Sequence, residues 1–396
     1  MNENVRIEDS VFHKASLCSG FNDDVILARA SRIKEQIDKN TLYIIGCVGD
    51  FCADSVFLAK GVIVDEDTFP RIRDSIKNIP VVLFNEHPIL DDGCVLSISK
   101  TGRMVLLYRP KSKNNALFIT DACNNYCVMC PQPPRPFLDD LAADKIRKIV
   151  DIMDKDIVPD KLGITGGEPT IIKEGLIDII NDISRKYPAT RMELLTNGRF
   201  LKYPEYTKKI AKASNGNLIA CIPLYAPVGY MHDYVVQSKG AFEQTVEGIL
   251  ECHRNNIAVE IRVVLNKITL EHLGELADFI SRNFMFISHV AIMGIEYMGF
   301  AKKNFDLLKY EPVDHKDAIT EAVKLLTIAG INVFLYNMPL CVVDESVRHL
   351  CKKSISDYKN IYLNECAVCA VKDDCSGTFS SNLGKYIFTS KISPIL

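Results

Sequence analysis

The sequence predicts an α/β chain with a parallel sheet covered by helices, and three observations carry that expectation. From residue 116 onward, short apolar runs alternate with amphipathic helical stretches, the pattern that links parallel strands through right-handed crossovers. The 396 residues are 47% hydrophobic and 24% charged, ordinary for a globular chain, and too many for one core, so two or three domains are expected. Of the 14 cysteines, three cluster at 123–130 and five at 341–375, which points to metal binding. Boundaries are expected at 1–113, 114–336 and 337–396.

The first region reads as a small mixed α/β or β-barrel-like domain. Val25 to Ile37 has helical character, and Thr41-Leu-Tyr-Ile-Ile45, Val62-Ile-Val64 and Val81-Val-Leu-Phe84 read as strands. Cys94–Ile98 and Met104–Tyr108 flank Ser99-Lys-Thr-Gly102, a hairpin turn by composition. Cys47 and Cys52 are expected to pack, His87 to lie in a loop, and the polar tract 111–115 to be a linker.

The second region repeats strand, loop, helix. Ala116 begins a strand that delivers a cysteine-bearing loop. A helix over Leu141–Asp154 places Ile146, Ile149, Val150 and Met153 on one face, with Asp139 and Asp140 as N-cap candidates. Further strands are expected at Lys161–Thr165, Met192–Thr196, Leu218–Leu224, Ala258–Leu265, Val290–Met293 and Ile331–Tyr336. Helices are expected at Ile171–Lys186, Tyr206–Ala213, Ala241–Asn255, through Leu273–Ile280, and at Lys316–Ala329. Reactive groups on such a scaffold collect at the C-terminal ends of strands.

The loop after the first of these strands holds Cys123, Cys127 and Cys130 at C-x3-C-x2-C. One tight loop with that spacing wraps three thiolates around an iron–sulfur cluster. Three ligands leave one iron of a four-iron cluster open. Structural zinc wants four closed ligands and paired C-x2-C units, and no partner pair lies nearby.

This motif, with Tyr126 as the aromatic residue before the second cysteine, resembles that of the radical S-adenosylmethionine (radical SAM) enzymes. The resemblance implies a partial (β/α)6 barrel and a [4Fe-4S] cluster on Cys123, Cys127 and Cys130. It implies that the open iron chelates the methionine end of S-adenosyl-L-methionine (SAM), and that reductive cleavage releases a 5'-deoxyadenosyl radical. Such chemistry belongs to the cofactor, and the protein binds, orients and excludes solvent. An external electron donor of the flavodoxin or ferredoxin type is implied as partner.

Four further stretches fall at strand exits. Thr165-Gly166-Gly167-Glu168-Pro169 pairs glycines, which admit close backbone approach, with a carboxylate suited to an ammonium group; it matches the family's SAM-amine motif. Its plain reading is a tight turn. Thr196-Asn197-Gly198 looks like the family's Thr-Asn-Gly element, and by itself is an ordinary Asn-Gly turn. Arg262 interrupts an apolar strand, so it must be paired or face a polar cavity; a cavity holding the SAM carboxylate is favoured, and an ion pair with Glu260 is not expected. Met293-Gly294 ends the sixth strand, where family members pack backbone against adenine, and Val128 and Met129 are further lining candidates. His232-Asp233 reads as a solvated or capping pair. No residue is assigned to act on substrate.

After Tyr336 the chain becomes cysteine-rich. Cys366, Cys369 and Cys375 form a C-x2-C-x5-C core, and Cys341 is a natural fourth ligand, suited to zinc or to a second iron–sulfur cluster. Cys351 is placed outside the set because its surroundings are helical in character. Many radical SAM maturases carry auxiliary [4Fe-4S] clusters in such SPASM/twitch-like extensions, and that resemblance favours a cluster here. The stretches 123–134, Asn337-Met-Pro-Leu-Cys341 and 354–360 look most like the radical SAM maturase of His-Xaa-Ser repeat peptide systems, implying a ribosomally made peptide as substrate. The alternatives are a radical SAM enzyme acting on a small molecule in cofactor or metabolite biosynthesis, and an iron–sulfur electron-transfer or sensor protein.

The remaining features exclude other classes. A formal charge of −3 leaves no footprint for nucleic acid or an anionic membrane. No apolar run reaches membrane-spanning length, and the N-terminus lacks a signal-peptide pattern. Without such a signal, the six scattered cysteines read as free thiols in a reducing cytoplasm.

Overall fold

The computed structural model describes residues 12–15, 17–19, 21, 25–86, 90–136, 142–356 and 359–396. The expectations for His87 and for Asp139 and Asp140 as caps lie outside the described residues, as does the Cys18 side chain. The chain divides into two compact units. One comprises residues 1–117, 141–163 and 181–190, and the other residues 118–140, 164–180 and 191–396.

The first unit carries an eight-stranded sheet: β1 (Phe12–Lys14), β2 (Leu17–Ser19), β3 (Val25–Ser31), β4 (Thr41–Ile45), β5 (Gly61–Asp65), β6 (Val81–Phe84), β7 (Cys94–Ser99) and β8 (Arg103–Tyr108), in the order β1-β8-β7-β3-β4-β5-β6-β2. β3 to β6 pair in parallel, whereas β7 pairs antiparallel with β3 and β8. Alternate residues of β4 enter different cores: Leu42 and Ile44 join one apolar cluster, Tyr43 and Ile45 the other. That is why all five positions are buried and the run reads as continuously apolar. The expected hairpin forms, with Gly102 at φ +79° in a place where a Cβ would lie 2.6 Å from the Ala15 carbonyl oxygen.

Two expectations for this unit are corrected and a third holds. Val25–Ile37 is not a helix: β3 occupies Val25–Ser31 and only Lys34–Gln36 winds, as a 3-10 turn. Its Ala, Arg and Leu content favours a helix, but the ladders on both sides override propensity. Cys47 is exposed rather than packed, because it sits in the turn leaving β4. Cys52 is half-buried against the core.

The second sheet runs β9 (Ala116–Phe118), β10 (Lys161–Thr165), β11 (Arg191–Leu195), β12 (Leu218–Pro223), β13 (Ala258–Val264), β14 (His289–Met293), β15 (Val333–Tyr336) and β16 (Cys351–Lys352), in sequence order. β11 through β16 are parallel. Helices connect them at Ala142–Ile152, Glu174–Lys186, Pro204–Ser214, Gly229–Val236, Ala241–Arg254, Leu273–Asn283 and Lys316–Ile328. An order with two edges makes an open, partial (β/α) barrel. Because connections return each strand in the same direction, all the strand exits, and hence their loops, gather along one rim.

The expected helix from Ile171 breaks at Lys173, which has φ +49°; a 3-10 turn, Pro169–Ile172, precedes the helix proper. Cys351 begins strand β16 rather than lying in a helix, and a 3-10 segment, Glu345–Leu350, ends immediately before it. A short antiparallel pair, β17 (Asn360–Ile361) and β18 (Thr378–Phe379), belongs to the C-terminal region. Among the described residues no helix is long and apolar enough to cross a membrane.

Candidate cofactor site

A cavity of ≈ 330 Å³ opens at the strand exits of the second unit, at the lower end of the range of about 300–1,000 Å³ for small-molecule sites. Cys123, Cys127 and Cys130 line it, together with Gly166 and Gly167 after β10, Thr196 and Asn197 after β11, Tyr225 after β12, Arg262 of β13 and Met293 of β14. Successive strands thus each deliver a group to one space. Burial raises all three thiols, Cys123 to about 12. They become thiolates only beside a compensating cation.

The paired glycines serve the cysteine loop itself. A Cβ on Gly167 would lie 2.3 Å from the Ala122 carbonyl oxygen, and one on Gly166 would lie 2.6 Å from that of Thr120. With no side chain in the way, Gly167 N–H donates to the Thr120 carbonyl (2.6 Å) and Glu168 N–H to the Ala122 carbonyl (2.8 Å). The close approach that the sequence assigns to a ligand is here made by the strand that carries the cysteines.

Glu168 does not line the cavity. It is fully buried, and Oε1 accepts from Thr170 N (3.0 Å), Thr170 Oγ1 (2.5 Å) and Thr196 Oγ1 (2.6 Å), while Oε2 accepts from Asn197 N (2.6 Å). Burial raises its pKa above the usual carboxylate value, and these four donors offset only part of that rise. Its carboxylate fastens the exit of β10 to that of β11. Asn197 Nδ2 then donates to Asn124 Oδ1 (2.6 Å) inside the cysteine loop.

Arg199 completes this scaffold and was not singled out by the sequence. Nη1 donates to the Asn124 carbonyl (2.6 Å), Asn125 Oδ1 (2.6 Å) and Ser238 Oγ (2.8 Å), and Nε to Gln244 Oε1 (2.7 Å). Its position directly after Thr-Asn-Gly was the available signal. Tyr126 is 48% exposed, and neither it nor Pro169 borders the cavity. Val128 and Met129 are buried and also stand outside the lining.

Arg262 faces the cavity and is ion-paired as well. Nε donates to Glu260 Oε1 at 2.5 Å, contrary to the expectation from sequence. Residues two apart on a strand share one face, so the two side chains are neighbours by construction. Glu260 Oε2 lies 3.0 Å from His289 Nε2, across the register that pairs these residues between β13 and β14. Burial opposes the Glu260 charge, but His289 and Arg262 outweigh it and lower its pKa to about 2.

Of the pair read as solvated or capping, His232 is buried and Asp233 does cap. Both lie in the helix Gly229–Val236. His232 is buried beneath Tyr225, with its Nδ1 accepting from Tyr225 N (3.4 Å), and burial lowers its pKa to about 4. Asp233 caps the next helix, accepting from Phe242 N (2.9 Å).

A second, smaller cavity lies in the C-terminal region, lined by Cys341, Cys366, Cys369 and Cys375 with Leu340, Tyr362 and Ile395. Backbone N–H groups point at its sulfurs: Leu340 and Gly377 at Cys375 Sγ, and Ile395 at Cys369 Sγ, each 3.4 Å. Cys351 does not border it. Among the described residues no group of three or more His, Cys, Asp or Glu is placed to hold a metal ion. Three cysteines of one loop line the first cavity and four cysteines the second, and thiolates are the donors that iron–sulfur clusters take.

Residues 117–280 match the family model described as the radical SAM superfamily. Among curated proteins, the chain is 30% identical over 128 residues to a GTP 3',8-cyclase of Streptomyces coelicolor, covering 31% of this chain and 37% of that protein. It is 24% identical over 192 residues to a GTP 3',8-cyclase of Clostridium perfringens, covering 45% and 54%. The chain thus spans between about a third and a half of the length of these relatives. A solved structure, native anSMEcpe with bound AdoMet and Cp18Cys peptide, aligns at TM-score 0.41 and 14% identity, over 56% of this chain and 62% of that one. Residues 117–280, with the cysteine loop at their head, are a radical SAM superfamily domain.

Proposed function

We propose that this protein is a radical SAM enzyme that modifies a ribosomally made peptide or protein and carries an auxiliary cluster in its C-terminal region. The observation that carries the reading is the convergence of Cys123, Cys127 and Cys130 on one cavity with the exits of β10 to β14. Those cysteines would hold a [4Fe-4S] cluster with SAM at its fourth iron, and Cys341, Cys366, Cys369 and Cys375 a second, fully ligated one. When bound and reduced, the first cluster and SAM supply a 5'-deoxyadenosyl radical. The chain's own residues set the conditions for that chemistry. Gly166, Gly167, Glu168, Asn197 and Arg199 fix the cysteine loop, Arg262 offers a cation for a carboxylate, and Met293 gives an apolar wall for the adenine. An external flavodoxin- or ferredoxin-type donor would deliver the electron.

The small-molecule reading is favoured by the two relatives named as GTP 3',8-cyclases. Against it stands the charge of the cavity, where Arg262 is the one ionic side chain among the described lining residues. A nucleoside triphosphate there would lack counter-charges, whereas a peptide would not need them. The test is iron content with product mass. Anaerobically assembled protein should hold about eight irons per chain, and the Cys123/Cys127/Cys130→Ala variant about four. Reduced protein given SAM should change the mass of a peptide encoded beside its gene and leave GTP unaltered. Conversion of GTP would establish the second reading.

A further inference from the structure

Ile392, Ser393, Pro394 and Ile395 line the C-terminal cavity beside its four cysteines. Residues 391–396 belong to no helix or strand, so their backbone N–H groups are not committed to a ladder. Two of them go to sulfur. Ile395 N–H donates to Cys369 Sγ (3.4 Å), and the Ile395 carbonyl accepts from Ala370 N–H (2.8 Å). A backbone hydrogen bond from Ser393 reaches Cys341. One short segment thus ties together two cysteine-bearing stretches, at 341 and 366–375, that the sequence separates by the whole of β16 and β17.

The root of this segment is fixed elsewhere. Phe388 is buried and packs edge-on against Tyr310, with ring centroids 5.8 Å apart. Thr389 Oγ1 donates to Glu311 Oε1, and Ser390 donates to Glu311 Oε2 through both N and Oγ (3.1 Å each). Lys391 Nζ pairs with Asp314 Oδ1 (2.5 Å), but the two side chains are 48% and 57% exposed, so that pair adds little. Contacts at the root do not depend on what the cysteines hold, whereas contacts at the tip do. A thiol sulfur is a weak acceptor, and a thiolate takes a charge-assisted hydrogen bond roughly twice as strong. Metal loading deprotonates ligand thiols, so it strengthens the two N–H···S contacts and leaves the root as it is.

We infer that residues 388–395 are a load-sensing strap that grips the C-terminal cysteines when they are metal-bound thiolates, and that Glu311 is the positioning residue that roots it. The inference rests on the proposed second cluster and adds the element that retains it. Coupling of this kind is reciprocal: a filled site holds the strap closed, and a closed strap slows the loss of iron.

The test is limited trypsin digestion after Lys391, within the strap, read by mass spectrometry. The Cys123/Cys127/Cys130→Ala variant is used, so that ferrous iron and sulfide can fill only the C-terminal site, and iron is counted on each sample. Loading should slow cleavage after Lys391 about tenfold. Glu311→Ala in the same background should abolish that protection and speed iron release to a ferrous chelator by about the same factor. Ile395→Pro, which lacks the N–H that meets Cys369, should lose protection with the Glu311 root intact, and it keeps the test decisive if Glu311→Ala does not fold. Equal cleavage with and without about four bound irons would overturn the strap. Protection that survives in both variants would overturn the roles of Glu311 and of the N–H donors. Protein that takes up no iron at this site would instead refute the second-cluster reading, so the two failures are distinguishable.

Discussion

Replacing Glu168 with glutamine separates two roles for this residue. In the structure its carboxylate faces no cavity and accepts four hydrogen bonds, three at Oε1 and one at Oε2. A glutamine keeps the shape but must put an NH2 group at one oxygen position. The less costly choice is the Oε2 side, where the Asn197 N–H then meets a donor and is left unsatisfied in a buried place. An orphaned buried donor costs about 1–3 kcal/mol. For a unit of this size that is a fall in melting temperature of roughly 2–12 °C. Glu168→Ala would orphan all four donors and should be worse. The assay is a thermal melt of iron-loaded protein, paired with SAM dialysis on the same preparation. If Glu168→Gln melts within a degree of wild type while SAM affinity falls tenfold, the carboxylate meets the ligand and the reasoning fails.

Other perturbations follow from the same geometry. Gly167→Ala forces a Cβ to 2.3 Å from the Ala122 carbonyl, so the cysteine loop must shift and the iron bound there should drop by more than half, read by iron analysis of the single variant. The pKa of Glu260 lies near 2 in the fold against an ordinary 4.5, so its contribution is present above pH 4.5 and lost as pH falls toward 2. Between pH 7 and pH 3 wild type should lose about 2 kcal/mol more stability than Glu260→Gln, measured as urea midpoints. Replacing Cys341, Cys366, Cys369 and Cys375 with alanine should remove about four irons and leave SAM binding intact, whereas replacing Cys351, which stands outside that cavity, should remove none.

Much of the second unit was legible because its signals are local. Short β-branched runs, helical stripes such as Leu273, Leu276 and Ile280, and glycine turns locate the strands and the rim that gathers their exits. What escaped depended on partners distant in sequence. Val25–Ser31 became a strand only because Cys94–Ser99 and Thr41–Ile45 lie beside it. Glu168 reads as a ligand group from its neighbours in sequence, yet two of its four donors come from Thr196 and Asn197, one whole strand–helix unit away. The Glu260–Arg262 pair was legible in principle, since strand geometry alone puts residues two apart on one side. Tyr225 carried no motif; its significance comes from the cavity it faces.

The most direct measurement of the central claim is 5'-deoxyadenosine formation by anaerobically reconstituted, reduced protein supplied with SAM. Wild type should release it, and the Cys123/Cys127/Cys130→Ala variant should release none while keeping the iron of its C-terminal region. Equal release by that variant, or none by wild type with both clusters loaded, would contradict the assignment of the cysteine loop.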